Sequence, residues 1–265
     1  MTAFDPGPAA DALIAARRAR GPAGPLPAEI APRDEAEGAA VQYAVAKRRG
    51  VLPVGGYKIG ATGRRMQDYL EIDHPCAGFM AWSDIHRSDV SLAYATFRNV
   101  AVECELGVRL GQPLPPGPCT PEVARAAIAD LFAAIEIVEN RYGAPPIGDV
   151  AAVGTPTLIA DQFYHAAAVL GPPPDDWRGL DLLAIEGRVF IDGKLSNSGK
   201  GAELLGDPLR GLAWLAASDV ARAFGGLRAG DFVLLGSVTP PVWIDGPCDV
   251  RVDFDRLPQV RLRFT

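Results

Sequence analysis

Apolar residues occupy every second position from 100 to 110, in the run Val-Ala-Val-Glu-Cys-Glu-Leu-Gly-Val-Arg-Leu. A period of two predicts a β-strand with one buried face. Glu103 and Glu105 occupy the alternate positions, so their side chains point the same way, roughly 7 Å apart from twice the rise of a strand. Two like charges at that separation need a compensating partner.

A third glutamate, Glu136, lies between two isoleucines in an apolar run over residues 134–138. An isolated ionised carboxylate is costly there, so it either takes up a proton or finds a cation. Three converging glutamates would form an all-oxygen site for Mg²⁺ or Mn²⁺. Two alternatives stay open: Glu103 and Glu105 lie on the wet face of an antiparallel sheet, or Glu136 pairs with Arg109 or Arg141.

The spacing of apolar residues predicts helices over residues 8–20 and 34–48, the second closed by Gly50. A glycine-edged strand over residues 54–60 carries Lys58. Thr120 and Pro121 predict the start of a helix that continues through residue 134. Beyond residue 180 we expect short strands over residues 182–185, 188–191, 232–235, 250–254 and 260–264, and one helix over residues 209–224 that ends at two glycines.

This order of elements predicts an α+β fold. The chain of 265 residues could form one large domain or two small ones, and no segment resembles a linker between domains. We therefore expect a single domain, with a helical N-terminal part over residues 1–50 and a β-rich body over residues 51–265.

The net charge of −6 argues against a nucleic-acid-binding protein, which would usually carry a basic patch. The densest arginine cluster, Arg17, Arg18 and Arg20, is interpreted as the solvated face of a helix. The N-terminus lacks a basic start followed by an apolar stretch, and no apolar run approaches the ~20 residues of a membrane span. We expect a cytoplasmic protein with no membrane or nucleic-acid partner.

The cysteines and histidines suggest no further site. None of the 4 cysteines forms a C-x-x-C pair, which argues against a finger-type zinc site, and reduced thiols are expected. His74, His86 and His165 have neither the spacing of a Ser-His-Asp triad nor that of a two-histidine metal site. They are interpreted as surface or packing residues, with His165 of some interest because it follows Asp161 and Gln162.

Six short motifs occur in order along the chain. They are Gly55-Gly-Tyr-Lys-Ile-Gly60, Val102-Glu-Cys-Glu-Leu106, Ala134-Ile-Glu-Ile-Val138, Gly199-Lys-Gly-Ala202, Leu212-Ala-Trp-Leu215, and Leu227-Arg-Ala-Gly-Asp231 through Gly236-Ser-Val-Thr239. In order and spacing they resemble the 2-keto-4-pentenoate hydratase branch of the fumarylacetoacetate hydrolase superfamily, whose close relatives include 4-oxalocrotonate decarboxylases. The resemblance extends from about residue 34 to residue 265.

The resemblance implies a mixed β-roll core and a Mg²⁺ or Mn²⁺ ion held by Glu103, Glu105 and Glu136. It places Lys58 in the pocket, where the amine would bind the substrate carboxylate or shuttle a proton. An ordinary strand lysine that reaches solvent is the alternative for Lys58. Four further residues are candidates for substrate binding, although each could simply finish a turn or cap a helix: Asp161, Gln162, Ser237 and Thr239.

Three segments depart from the family pattern. Pro75-Cys-Ala-Gly78 stands where family members commonly carry Pro-Asp-aromatic-Gly. Asp161-Gln-Phe-Tyr-His165 replaces Asp-Asn followed by a small polar residue, and Gly206-Asp-Pro208 replaces a Gly-His-Pro-like segment. The metal ligands are therefore intact while their surroundings have changed.

The resemblance implies a metal-dependent lyase that hydrates a 2-hydroxy-2,4-dienoate to a 4-hydroxy-2-oxo acid in aromatic catabolism. Decarboxylation of 4-oxalocrotonate at the same site is a close alternative. Hydrolysis of an acylpyruvate ranks lower, because the early His-Glu pair typical of that branch is lacking. A non-catalytic relative that binds a 2-oxo acid is the alternative from another class. We expect a homo-oligomer, with a complex with a sister pathway enzyme as a further option.

Overall fold

The computed structural model describes residues 3–20, 23–143 and 152–265. The described residues form seven α-helices and thirteen β-strands, in addition to short 3₁₀ turns. The helices are α1 (Gly7–Ala19), α2 (Glu35–Arg48), α3 (Arg64–Leu70), α4 (Pro121–Ala127), α5 (Thr155–Ala160), α6 (Pro208–Ala217) and α7 (Asp219–Phe224). The strands are β1 (Gly56–Gly60), β2 (Cys76–Met80), β3 (Ile85–Arg87), β4 (Val90–Leu92), β5 (Val100–Leu110), β6 (Ile128–Glu139), β7 (His165–Leu170), β8 (Glu186–Ile191), β9 (Lys194–Lys200), β10 (Phe232–Ser237), β11 (Val242–Trp243), β12 (Cys248–Phe254) and β13 (Val260–Phe264).

The larger sheet has the strand order β2-β1-β10-β5-β6-β7-β3, and β11 also pairs with β5. The pairs β1–β10 and β3–β7 are parallel, whereas the other pairs of this sheet are antiparallel. The long antiparallel pair β5–β6 lies at the centre and carries the three glutamates. A sheet of this kind is mixed, as the predicted β-roll requires.

The second sheet has the order β4-β13-β12-β8-β9, and its strands β12 and β13 contact β6 of the larger sheet. One core cluster contains apolar side chains from both sheets, including Cys104, Ile135 and Val252. A smaller apolar cluster, which includes Phe132 and Ala134, uses the alternate positions of β6. Glu136 continues that second row, so the glutamates lie on the face of β5–β6 turned away from the second sheet.

The two N-terminal helices agree with the prediction, and Asp34 caps α2 by accepting a hydrogen bond from the Glu37 amide at 2.9 Å. Helix α2 packs against α1, α5 and α7. The α+β class and the mixed β-roll are confirmed. None of the helices in the described ranges is long and apolar enough to cross a membrane.

Three predicted elements are wrong. The helix that Thr120 caps ends at Ala127, because residues 128–139 pair with β5 and this pairing overrides the helix propensity of the alanines. Residues 182–185 form a turn instead of a strand, since the Asp181 carboxylate accepts hydrogen bonds from the amides of Leu183 and Ala184. The helix predicted over residues 209–224 is divided at Ser218, whose hydroxyl caps α7.

Candidate metal centre

The register of β5 against β6 brings the three glutamates together. Glu103 lies directly opposite Glu136, and Glu105 lies opposite Ala134 on the same face. Each glutamate offers one carboxylate oxygen such that all three oxygens lie within 4.8 Å of one another. The convergence predicted from the strand period is therefore present, and it depends on a cross-strand register that the sequence does not specify.

These carboxylates are not on a wet sheet face. Glu105 and Glu136 are 0% exposed, and Glu103 is partly exposed. Strand β5 is buried along almost its whole length, so the expectation of a single buried face is wrong. Neither predicted arginine pairs with Glu136, because Arg109 binds Asp130 and Arg141 binds Asp161.

Glu136 is held by two cationic or hydrogen-bonding side chains. Lys58 Nζ lies 3.2 Å from Glu136 Oε1, and His165 Nδ1 lies 2.9 Å from the same oxygen. Both side chains are buried, with Lys58 only 1% exposed, so the alternative of a solvent-exposed lysine is wrong. The Lys58 ammonium also lies 5.1 Å from the centroid of the Phe163 ring.

Glu105 is held by the backbone of β10. Its Oε2 accepts a hydrogen bond of 2.8 Å from the Gly236 amide, at a position where the register of β10 against β5 shifts. Gly236 has a φ of 114°, which glycine adopts readily and other residues rarely do. The irregularity in β10 thus directs a backbone N–H at a buried carboxylate.

The proton affinities of the glutamates reflect their crowding. Desolvation, followed by the charge of Glu136, raises the pKa of Glu103 to about 8, and the same two causes raise the pKa of Glu105 well above its usual range. Desolvation also acts on Glu136, but Lys58 and His165 outweigh it and lower the pKa of that carboxyl. Glu136 is therefore the carboxylate that stays ionised most readily.

The site has the properties of a binding site for a hard divalent cation. Glu105 Oε1 and Glu136 Oε2 are buried and have no hydrogen-bond partner among the described residues. Buried polar atoms seldom lack partners, and each orphan needs an explanation. When all three carboxyls are ionised beside one ammonium, an excess of negative charge results, and a divalent ion would offset it. Oxygen donors at this spacing fit Mg²⁺ or Mn²⁺.

The four predicted substrate-binding residues fall into two groups. The Ser237 hydroxyl makes its hydrogen bonds with backbone groups. It donates to Thr239 O at 2.7 Å and accepts from the Cys104 amide at 3.2 Å. Thr239 is buried, and its Oγ1 makes no hydrogen bond within the part of the chain that the structure describes. Of this pair, Thr239 therefore has a free hydroxyl for a ligand, whereas Ser237 shapes the irregularity in β10.

Asp161 and Gln162 are fully engaged in the protein. Asp161 Oδ1 accepts from Arg17 Nε at 2.8 Å, and Oδ2 accepts from Arg141 and from the Tyr142 hydroxyl. Gln162 Nε2 donates to Phe79 O at 2.8 Å. The interpretation of Arg17 as a solvated residue is wrong. Its side chain is only 22% exposed, because it forms an ion pair with the buried Asp161.

Sequence reasoning missed two groups of the site. His165 was interpreted as a surface or packing residue, yet it contacts Glu136 in the interior. The available signal was related to the one that marked Glu136: a polar residue next to an apolar run, here His-Ala-Ala-Ala-Val-Leu, in which the histidine precedes the run instead of interrupting it. The Gly236 amide had no signal beyond the glycine itself.

Cys76 is buried opposite Gly60, and desolvation raises the pKa of its thiol well above the usual range.

Comparison with known families finds a match over most of the chain. Residues 58–265 match the family described as Fumarylacetoacetate (FAA) hydrolase C-terminal, a match that includes Lys58 and all three glutamates. The chain belongs to the FAA hydrolase family. The region before residue 58, which contains α1 and α2, lies outside this match.

Two relatives in the FAA hydrolase family are named 2-keto-4-pentenoate hydratase. The protein from Burkholderia vietnamiensis is 33% identical over 212 residues, covering 80% of this chain and 78% of its own length. The protein from Paraburkholderia xenovorans is 30% identical over 260 residues, covering 93% and 94%. Both alignments extend over most of each chain.

A solved structure of the family shares the fold over the full length. It is a 4-oxalocrotonate decarboxylase from Pseudomonas putida G7, complexed with magnesium and adipate. Its TM-score is 0.88 at 22% sequence identity, covering 100% of this chain and 99% of that one. The N-terminal helices are thus part of an architecture that the decarboxylase shares.

Proposed function

We propose that this protein is a metal-dependent hydro-lyase that adds water to a 2-hydroxy-2,4-dienoate of the 2-keto-4-pentenoate type, giving a 4-hydroxy-2-oxo acid in aromatic catabolism. One observation carries the proposal. A buried trio of glutamates with unpartnered oxygens lies beside a buried lysine, in a chain that is 30% to 33% identical to named 2-keto-4-pentenoate hydratases.

Glu103, Glu105 and Glu136 would hold the metal, which we take to be Mg²⁺ or Mn²⁺. When bound, the ion supplies Lewis-acid stabilisation of negative charge on the 2-oxo oxygen of the substrate. Two of the three glutamates, Glu105 and Glu136, are already oriented for this role by the protein. Gly236 holds one oxygen of Glu105, while Lys58 and His165 hold one oxygen of Glu136, which leaves the second oxygen of each carboxylate available.

The reaction requires several proton movements. A proton leaves the 2-hydroxyl oxygen and another is added at C5, which places the double bond between C3 and C4, in conjugation with the 2-oxo group. The oxygen of water then bonds to C4, and a proton is added at C3. Lys58 is the residue we assign to carry one of these protons or to hold the substrate carboxylate.

The surroundings of Lys58 suit this assignment. Its amine lies in the interior between Glu136 and the Phe163 ring. Because Lys58 is buried, bulk water has little access to this amine. A group that exchanges protons with substrate and not with bulk water needs such shielding. Thr239, with its free buried hydroxyl, is the residue we assign to a hydrogen bond with the substrate.

The test is a comparison of two substrates. Metal-free protein is supplied with Mg²⁺ and either 2-hydroxypenta-2,4-dienoate or 2-hydroxymuconate; loss of the dienol absorbance is followed and products are identified by mass. We expect metal-dependent turnover of the first, with a product heavier by one water. Faster release of CO₂ from the second would instead favour the decarboxylase. Binding of a 2-oxo acid without turnover would favour the non-catalytic relative. A cytoplasmic location and a homo-oligomer stay predictions.

A further inference from the structure

The segment from Asp161 to His165, here called the 161–165 turn, connects α5 to β7 in an unusual conformation. Three successive residues that are not glycine have left-handed backbones, with φ angles of 61° at Gln162, 47° at Phe163 and 67° at Tyr164. Such residues avoid this region unless the surrounding structure enforces it. The contacts of the turn must therefore hold it in place.

The N-terminal side of the turn is fixed by ionic contacts from distant parts of the chain. Arg17 of α1 donates through Nε to Asp161 Oδ1 and through Nη2 to Asp161 O, both at 2.8 Å. Arg141 and the Tyr142 hydroxyl, which follow β6, donate to Asp161 Oδ2. Both carboxylate oxygens are thereby occupied at a residue that is 3% exposed, so Asp161 has no free oxygen for a substrate.

The C-terminal side of the turn delivers two side chains to the metal centre. His165 places Nδ1 at 2.9 Å from Glu136 Oε1, and Phe163 places its ring against the Lys58 ammonium. The backbone amide of His165 also donates to Gln162 O at 3.1 Å, which makes its position depend directly on the turn. The turn therefore connects an ion pair outside the site to the contacts that orient Glu136 and Lys58.

We propose that Arg17 and Asp161 are positioning residues, which hold the 161–165 turn so that His165 fixes Glu136 in its metal-binding orientation. This inference rests on the proposed function, because it assumes that the glutamates bind a divalent ion. It also gives α1, which lies outside the family match, a role at the site. Groups that orient metal ligands typically change metal affinity 10- to 100-fold when they are removed.

The first test measures Mn²⁺ binding by the full-length protein, by calorimetry or by electron paramagnetic resonance, without substrate. Arg17→Lys cannot reproduce the paired donation by Nε and Nη2. We expect it to raise the Kd for Mn²⁺ by roughly 10-fold. Arg18→Lys is the matched control, since it makes the same change one position along on an exposed residue. An Arg17→Lys variant that binds Mn²⁺ as tightly as Arg18→Lys would overturn the inference.

The second test asks whether the effect passes through His165. Asp161→Asn and His165→Gln should each raise the Kd for Mn²⁺. The Kd of the double variant should not exceed the larger of the two single-variant values. Independent effects that multiply in the double variant would contradict the proposal. Asp130→Asn, which weakens the Arg109–Asp130 pair between β5 and β6, is the control for loss of an ion pair. Should Asp161→Asn not fold, Arg17→Lys combined with His165→Gln gives the same comparison.

A structural role alone would lower the unfolding temperature without changing Mn²⁺ affinity in the folded protein, and this outcome counts against the proposal. The result for the unaltered protein separates this inference from the proposed function. No Mn²⁺ binding there, or binding that survives Glu136→Gln, contradicts the metal site itself. Normal binding by the unaltered protein together with normal binding by Arg17→Lys contradicts only the positioning role.

Discussion

Lys58 and Glu136 form an ion pair in the interior, and at the scale of single residues this pair is the most informative contact of the site. Opposite charges in the interior need one another, because each alone carries a large desolvation cost. The pair determines which oxygen of Glu136 is occupied and places an amine beside the three glutamates that we propose as metal ligands. The sequence predicts Lys58 and Glu136 as separate site residues. Neither their pairing nor the contact of Glu136 with His165 can be inferred without the fold.

We predict that Lys58→Met lowers turnover of the dienoate by at least ~100-fold, the usual scale for loss of a proton carrier. The unfolding temperature of the metal-free Lys58→Met variant should change only slightly, because Glu136 can take up a proton once its partner is lost. Lys47→Met, on the exposed side of α2, is the control. Near-normal steady-state kinetics for Lys58→Met would remove this residue from the mechanism.

Cys76 gives a second prediction at the residue scale. The family resemblance implies an acid at this position, whereas burial keeps the Cys76 thiol neutral by raising its pKa. We expect Cys76→Asp to increase the rate of hydration and leave Mg²⁺ binding unchanged, because the glutamates are untouched. Cys76→Ser serves as the neutral control. An unchanged or lower rate in a Cys76→Asp protein that still binds Mg²⁺ would show that the missing acid is not the limiting factor.

At the scale of elements, residues 100–110 were predicted as a strand because their period of two is a local property. The register of this strand against β6 is not local, and it alone places Glu103 opposite Glu136. The same pairing explains the wrong helix over residues 128–134, where alanine propensity favoured a helix and the partner strand enforced a sheet. The local strand period of residues 100–110 therefore predicts its element correctly, whereas the local helix propensity of residues 128–134 is overridden by pairing with a distant strand.

The irregularity in β10 leads to a test at this scale. In Gly236→Ala, a Cβ would lie 2.6 Å from Thr62 Oγ1 at a φ of 114°, so the backbone must move. The Gly236 amide would then leave Glu105. We predict a loss of stability of about 1–3 kcal/mol, measured by denaturant unfolding, and weaker Mg²⁺ binding. Gly246→Ala is the matched control, since among the described residues no atom beyond the glycine and its two chain neighbours lies within 4 Å of its added Cβ.

At the scale of the whole molecule, the three glutamates make the stability of the metal-free protein dependent on pH. A carboxyl whose pKa is raised in the folded state, to about 8 for Glu103, favours folding below its ordinary pKa and loses that contribution as the pH rises. Glu105 acts in the same direction, whereas Glu136, with a lowered pKa, acts in the opposite direction.

We therefore predict that the unfolding temperature of the metal-free protein falls between about pH 5 and about pH 8, the interval from the ordinary pKa of a glutamate to the Glu103 pKa of about 8. Mg²⁺ should offset this loss, so that the increase in unfolding temperature on adding Mg²⁺ is larger at the alkaline end. Calorimetric scans with and without Mg²⁺ at both ends measure the difference. An equal or smaller Mg²⁺ effect at alkaline pH would contradict the charge assignment.

The most direct measurement of the central claim is a titration of metal-free protein with Mn²⁺ in the presence of 2-hydroxypenta-2,4-dienoate, in which bound metal and the rate of hydration are recorded together. We predict that the rate rises from near zero and saturates at one bound Mn²⁺ per chain, and that Glu136→Gln shows neither the binding nor the rate. Full hydration by the metal-free protein, or unchanged binding and turnover in Glu136→Gln, would contradict the assignment of the three glutamates as the metal centre of a hydratase.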